Sequence, residues 1–154
     1  AAMLMFEVVA GLNQTANTDT NKSYSAQSSS QTNNSIFTTV KTRAELSQLL
    51  NGAKTQEKLV MVDVYADWCI ECKIMANTLF ADGEVQKQLS NFESIKLDIT
   101  EFNDFHKDYL ESNGIFGPPA LLFYGLDGEI IKEAQILGEI TKQDFLGHLQ
   151  QFDY

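Results

Sequence analysis

A chain of 154 residues has room for one domain with a substantial core and not for two. Hydrophobic residues make up 44% of it, and 21 acidic residues outweigh 11 basic ones for a net charge of −10 with no basic cluster, which argues against a nucleic-acid surface. Its two cysteines, Cys69 and Cys72, would close too short a loop to act as a structural staple, so the pair is read as chemistry.

Residues 1–12 (AAMLMFEVVAGL) are apolar apart from Glu7. They fall short of the roughly 20 apolar residues that span a bilayer and lack the basic start of a secretory signal. Three readings fit: the end of a transmembrane helix, an expression remnant, or a loosely packed arm. Residues 13–35 change abruptly to Ser, Thr, Asn and Gln. Such a stretch has too little apolar surface to offset its ordering entropy and reads as a flexible tether. The folded domain is expected over 36–154.

Residues 36–40 suggest a short strand. Thr42 then caps a helix, with Glu45 completing a capping box and Leu46, Leu49 and Leu50 forming the apolar face. Residues 59–65 (LVMVDVY) are nearly all apolar, as a strand buried on both faces requires. A helix follows from about Cys69, breaks at residues 81–83, and gives way to a short one through Val85 and Leu89. Residues 94–99 alternate as a strand, Asn103 caps the next helix, and Gly114 ends it. Residues 120–124 and 129–136 flank a Leu126-Asp127-Gly128 turn and read as an antiparallel hairpin. An amphipathic helix over 141–152 closes the chain with Phe145, Leu146 and Leu149 inward. The order βαβαβαββα implies an α/β domain with a central sheet and helices on both faces.

Cys69 follows a buried strand and opens a helix, where the positive end of the helix dipole and unpaired N–H groups favour thiolate. Cys72 falls on the same helix face one turn inward. The expected arrangement is an exposed attacking sulfur with a shielded resolving one behind it. A zinc site needs about four ligands at suitable spacing, and the only histidines, His106 and His148, are distant and on separate expected helices. No metal is expected, and no cofactor beyond the Cys69–Cys72 disulfide itself.

Residues 62–69 (VDVYADWC) resemble the active-site strand and turn of the thioredoxin family, residues 114–123 (GIFGPPALLF) its cis-proline segment, and residues 96–99 (KLDI) the strand between them. More narrowly, the pattern YADWCxxCK, the following Thr78-Leu79-Phe80 and the KTxxEL helix resemble the C-terminal periplasmic domain of the DsbD family of thiol:disulfide interchange proteins. The similarity covers about 36–152. It implies a thioredoxin-like fold with a mixed central sheet. It also assigns Asp63 as the buried acid that takes the resolving thiol's proton. A carboxylate in an apolar strand should indeed have its pKa raised toward a useful range; pairing with Lys96 is the structural alternative, and the two are compatible.

The resemblance further implies that Pro119 is the cis-proline beside the sulfurs, that Trp68 covers the dithiol unless it merely packs, and that Gly138 admits a partner unless it is only a turn glycine. Three departures stand out. Pro118 precedes the expected cis-proline and has no N–H for a partner's backbone. Ala76 stands where an acid follows the second cysteine in similar domains. Glu71, inside the motif, either replaces that acid or is a solvated charge.

Neither His nor Arg lies between the cysteines, while Asp63, Asp67 and Glu71 add negative charge that disfavours thiolate. The expected potential is therefore closer to about −270 mV than to about −120 mV. By resemblance the domain is a reductive relay in the bacterial periplasm, attached to the inner membrane. A DsbD-like membrane domain would supply electrons and the DsbD N-terminal domain would accept them, passing them on to disulfide isomerases and cytochrome-maturation proteins. A free-standing, membrane-tethered reductase and a non-catalytic binding module of the same fold are the alternatives.

Overall fold

Strand β2 (Leu59–Tyr65) is the middle strand of a five-stranded sheet, and six of its seven residues are buried. The computed structural model describes residues 35–152. The apolar segment 1–12, the tether apart from Ser35, and residues 153–154 lie outside the described residues. The strand order is β1-β3-β2-β4-β5. Strands β1 (Thr38–Val40) and β3 (Phe92–Asp98) run parallel to β2, whereas β4 (Ala120–Tyr124) is antiparallel to it and β5 (Ile136–Leu137) antiparallel to β4. The sheet is therefore mixed, as the fold class requires.

Alternation along β2 divides the core. Val60, Val62 and Val64 face helices α1 (Arg43–Thr55) and α4 (Asp104–Ser112) through Leu46, Ala53 and Leu110. Leu59 and Met61 face α2 (Ile70–Asn77), α3 (Gly83–Leu89) and α5 (Lys142–Leu149) through Met75, Val85, Leu89, Phe145 and Leu149. Both expected caps form. Thr42 Oγ1 accepts the Glu45 N–H while the Glu45 carboxylate accepts the Thr42 N–H. Asn103 accepts the His106 N–H, and His106 Nδ1 accepts the Asn103 N–H in return.

The hairpin differs from expectation. The Leu126-Asp127-Gly128 turn closes, with the Gly128 N–H donating to the Gly125 carbonyl at 2.9 Å. Residues 129–136 are not one strand, however. After a single bridge from Ile130 to Tyr124 the chain leaves the sheet in a 3₁₀ turn (Lys132–Ala134) and rejoins only at β5. The turn buries the Ala134 methyl in the core, and His148 of α5 holds the Ala134 carbonyl at 2.8 Å. Packing of a small residue under a helix outweighs continued pairing of a β-prone run. Helix α5 also ends at Leu149 rather than Phe152, although Phe152 still packs its ring on Phe92 and Phe123.

Phe145 is fully buried and meets Phe80 edge-to-face, so α5 is anchored by one aromatic ring. Phe145→Ala is expected to cost about 3–5 kcal/mol, read as a lower midpoint in urea denaturation with the m-value unchanged.

Candidate active site

The C-terminal end of β2 carries the chemistry. Past Tyr65 the chain turns through Ala66, Asp67 and Trp68 and enters α2, with Cys69 as the residue that caps it. An oxygen-bearing side chain usually fills that position. Here Cys69 Sγ does so, accepting the Cys72 N–H at 3.2 Å. The two sulfurs are bonded to each other, with 5.3 Å between the Cα atoms. Cys72 Sγ lies 3.9 Å from the Val64 carbonyl oxygen, directly above the end of the central strand.

One expectation needs correcting. Cys72 is shielded as anticipated, with 3% of its surface exposed, but Cys69 is scarcely more open at 5%. Bonded to each other, both cysteines belong to the first core cluster with Ala66, Ile115 and Ala120. The residues on either side of Cys69 stay in solvent, Trp68 at 56% and Ile70 at 68% exposed. The bond therefore lies just beneath an apolar rim.

The Trp68 turn is pinned by a residue that no motif singled out. Thr100, in the loop between β3 and α4, accepts the Asp67 N–H on Oγ1 at 2.9 Å and donates the same hydroxyl to Asp98. Its carbonyl accepts the Trp68 indole N–H at 3.1 Å. Burial pushes the Asp98 carboxyl up, but the Thr100 hydrogen bonds and the Lys41 ammonium at 3.5 Å outweigh it and hold the group below its usual range. The signal available in the sequence was an Asp-x-Thr pair at a strand end, a common local motif with no unique meaning.

Asp63 is 4% exposed in the middle of β2, on the face that Met61 shares with Met75 of α2. Burial pushes its carboxyl up to about 7, and the Lys96 ammonium opposes that rise without cancelling it. Lys96 is the register partner of Asp63 on β3, and its ammonium stands over the rings of Tyr65 at 4.6 Å and Phe37 at 5.4 Å. Of the two compatible readings for Asp63, desolvation dominates and the charge of Lys96 is the smaller effect.

The Pro118–Pro119 peptide bond is cis. Pro119 is buried and immediately precedes Ala120, which pairs with Val64, so the proline stands at the same sheet end as Cys72. The Pro119 carbonyl is taken by the Gly138 N–H at 2.9 Å. Gly138 has φ +88, a conformation other residues rarely adopt, and nothing stands within 4 Å of where a Cβ would be. Glu71 is exposed on the first turn of α2, and Ala76 lines a separate cavity with Lys96 and Phe37. Both histidines serve the scaffold: His106 donates from Nε2 to the Lys41 carbonyl, and His148 holds Ala134.

Residues 41–125 match the profile of a family described as thioredoxin-like. The chain belongs to the thioredoxin-like family. Within this family it is 39% identical over 110 residues to the thiol:disulfide interchange protein DsbD of Pseudomonas fluorescens, an alignment covering 71% of this chain and 19% of that protein. It is 36% identical over 115 residues to the DsbD of Vibrio cholerae, covering 75% and 19%. The oxidised DsbD C-terminal domain of Neisseria meningitidis superposes with a TM-score of 0.65 at 29% identity, over 74% of this chain and 98% of that one. The chain thus spans about a fifth of the length of the relatives it matches. The bonded pair Cys69–Cys72 and the cis peptide bond at Pro119 both lie inside the matched residues.

Above pH 7 the native state holds Asp63 ionised and buried, whereas the unfolded chain ionises it near 3.8. Between those values the native state binds the extra proton, so stability contributed by this group falls as pH rises from about 4 to about 7 and is flat above. Asp63→Asn should therefore stabilise the domain by about 1–3 kcal/mol at pH 8 and by much less at pH 5, measured by denaturant unfolding at both values.

Proposed function

We propose that this domain is a reductive two-electron relay. It takes electrons from a DsbD-like membrane domain and delivers them to a partner protein's disulfide, the DsbD N-terminal domain being the acceptor. It works in the bacterial periplasm, with residues 13–35 as the tether and residues 1–12 as the end of a membrane helix. What supports the reading is one arrangement: a disulfide whose first sulfur caps a helix, standing at the end of a strand that buries a carboxyl group raised to about 7.

In the reduced domain Cys69 thiolate, favoured by the N-terminus of α2, attacks one sulfur of the partner disulfide. An S–S bond forms between Cys69 and the partner, the partner's own S–S bond breaks, and the second partner sulfur leaves as thiolate. Asp63, ionised, then takes the Cys72 proton. Cys72 thiolate attacks Cys69 Sγ, re-forming the Cys69–Cys72 bond and releasing the first partner sulfur. Two electrons have passed to the partner and the domain is oxidised. A donor dithiol reverses the sequence. A group titrating near neutral pH suits this step, because it is ionised often enough to accept the proton and basic enough to hold it.

Trp68, held by Thr100, directly precedes Cys69, and Pro119 stands at the same sheet end as Cys72. Pro118 offers a carbonyl but no N–H, so a docked backbone makes one hydrogen bond fewer there. The incoming sulfur needs only a narrow lane along the S–S axis, which agrees with the small exposure of Cys69.

Cys72→Ala removes the resolving sulfur and should stall the reaction at the mixed disulfide. Mass spectrometry of the adduct formed with the oxidised DsbD N-terminal domain is expected to place the link on Cys69. Absence of an adduct with that protein would defeat the assignment of partner, and absence with every protein disulfide would defeat attack by Cys69.

A further inference from the structure

A cavity of about 460 Å³ opens beside the far end of α2, and Lys96 is the one charged side chain among the described residues that line it. Ala76 and Asn77 form its α2 wall, two turns beyond Cys69. A helical rise of about 1.5 Å per residue places that wall roughly 10 Å from Cys69 along the axis. Phe37 and Phe80 supply aromatic walls and meet edge-to-face with centroids 4.9 Å apart. Asn77 and Gln86 supply carboxamides, held in place by the Lys73 and Phe80 carbonyls at 2.9 Å each.

Lys96 is an unsatisfied cation. The protein carries a net charge of −10. Lys41, Arg43, Lys58, Lys107 and Lys142 each pair with a carboxylate, whereas half-buried Lys96 makes no salt bridge among the described residues. Its ammonium stands over the rings of Tyr65 at 4.6 Å and Phe37 at 5.4 Å and acts on Asp63 only as a weak opposing field. Ring faces attract an ammonium but do not replace an oxygen acceptor for its three N–H donors. The cavity volume falls within the range of small-molecule sites, whose pattern is apolar and aromatic lining with a few fixed polar groups. One lysine, without an arginine fork or a second cation, matches a monoanion better than a phosphate.

We propose that this cavity binds a small organic acid, with one carboxylate for Lys96 and an apolar or aromatic body for Phe37 and Phe80. The site is separate from the disulfide, yet Lys96 joins it to the chemistry. A bound carboxylate and the Asp63 carboxylate draw on the same ammonium, so ionised Asp63 and the ligand weaken each other's hold on it reciprocally.

Benzoate is the probe, titrated into the isotopically labelled chain and followed by NMR of the backbone amides at pH 8, where Asp63, raised to about 7, is mostly ionised. Saturable shifts are expected at Ala76, Asn77 and Lys96, with a dissociation constant in the low millimolar range open to so small a ligand. Benzamide, which keeps the ring and loses the charge, and acetate, which keeps the charge and loses the ring, should each bind about tenfold more weakly. Lys96→Gln should weaken benzoate to a similar extent, and Ala76→Leu, which fills the cavity without altering any charge, should abolish saturable binding. Asp63→Asn should bind benzoate about fivefold more tightly, because it removes the competing anion. Absence of saturable shifts at these amides, or benzamide binding as well as benzoate, overturns the site on the parent protein alone. Benzoate affinity unchanged in Lys96→Gln or in Asp63→Asn overturns the placement of the carboxylate on Lys96.

Discussion

A sulfur atom occupies the place of a helix cap, and the active site is organised around that substitution. Cys69 Sγ receives the Cys72 N–H where serine or aspartate would ordinarily offer oxygen. The backbone donor and the helix dipole that would reward a carboxylate cap therefore reward a thiolate. For this to work α2 must begin at Cys69 and not a residue earlier. The Asp67–Trp68 turn sets that start, and Thr100 holds the turn from the loop after β3 with one hydroxyl and one carbonyl. The sheet order places the remaining parts, because β3 and β4 are the two neighbours of β2 and deliver Thr100 and Pro119 to the same end.

Strand β2 meets two opposed demands. It must be apolar enough to lie between two helix layers, and it must carry an acid among those apolar residues. Burial raises Asp63 to about 7, and the opposing field of Lys96 is too weak to bring it back to the ordinary range. Such a carboxyl weakens the fold at neutral pH, because its ionised form is poorly solvated there. The proposed role of Asp63 as proton acceptor entails such a stability cost at one residue.

Much of this was legible in the residues themselves. The apolar run of β2, the Thr42 and Asn103 caps and the cysteine spacing are local signals, and each leads to the element observed. Asp63 could be read as perturbed because a charge amid Val and Met has few ways to be solvated. The 3₁₀ turn at Lys132–Ala134 was not legible, since its cause is His148 and the underside of α5, far along the chain. The Thr100 latch was hidden for a similar reason, as its partners are 32 and 33 residues away. The low exposure of Cys69 was missed because helix-start geometry predicts an open thiol, whereas the bonded pair packs inward on Ile115 and Ala120.

The proposed direction of electron flow rests on the balance of charge at the cap. The helix N-terminus favours thiolate, while Asp67 and Glu71 stand exposed nearby and no His or Arg separates the cysteines. A reduced form without strong stabilisation makes a reductant. Equilibration of the domain with dithiol–disulfide buffers, followed by the fluorescence of its single tryptophan, Trp68, gives the reduction potential directly. A value near about −270 mV is predicted, and one above about −150 mV would contradict a reductive carrier.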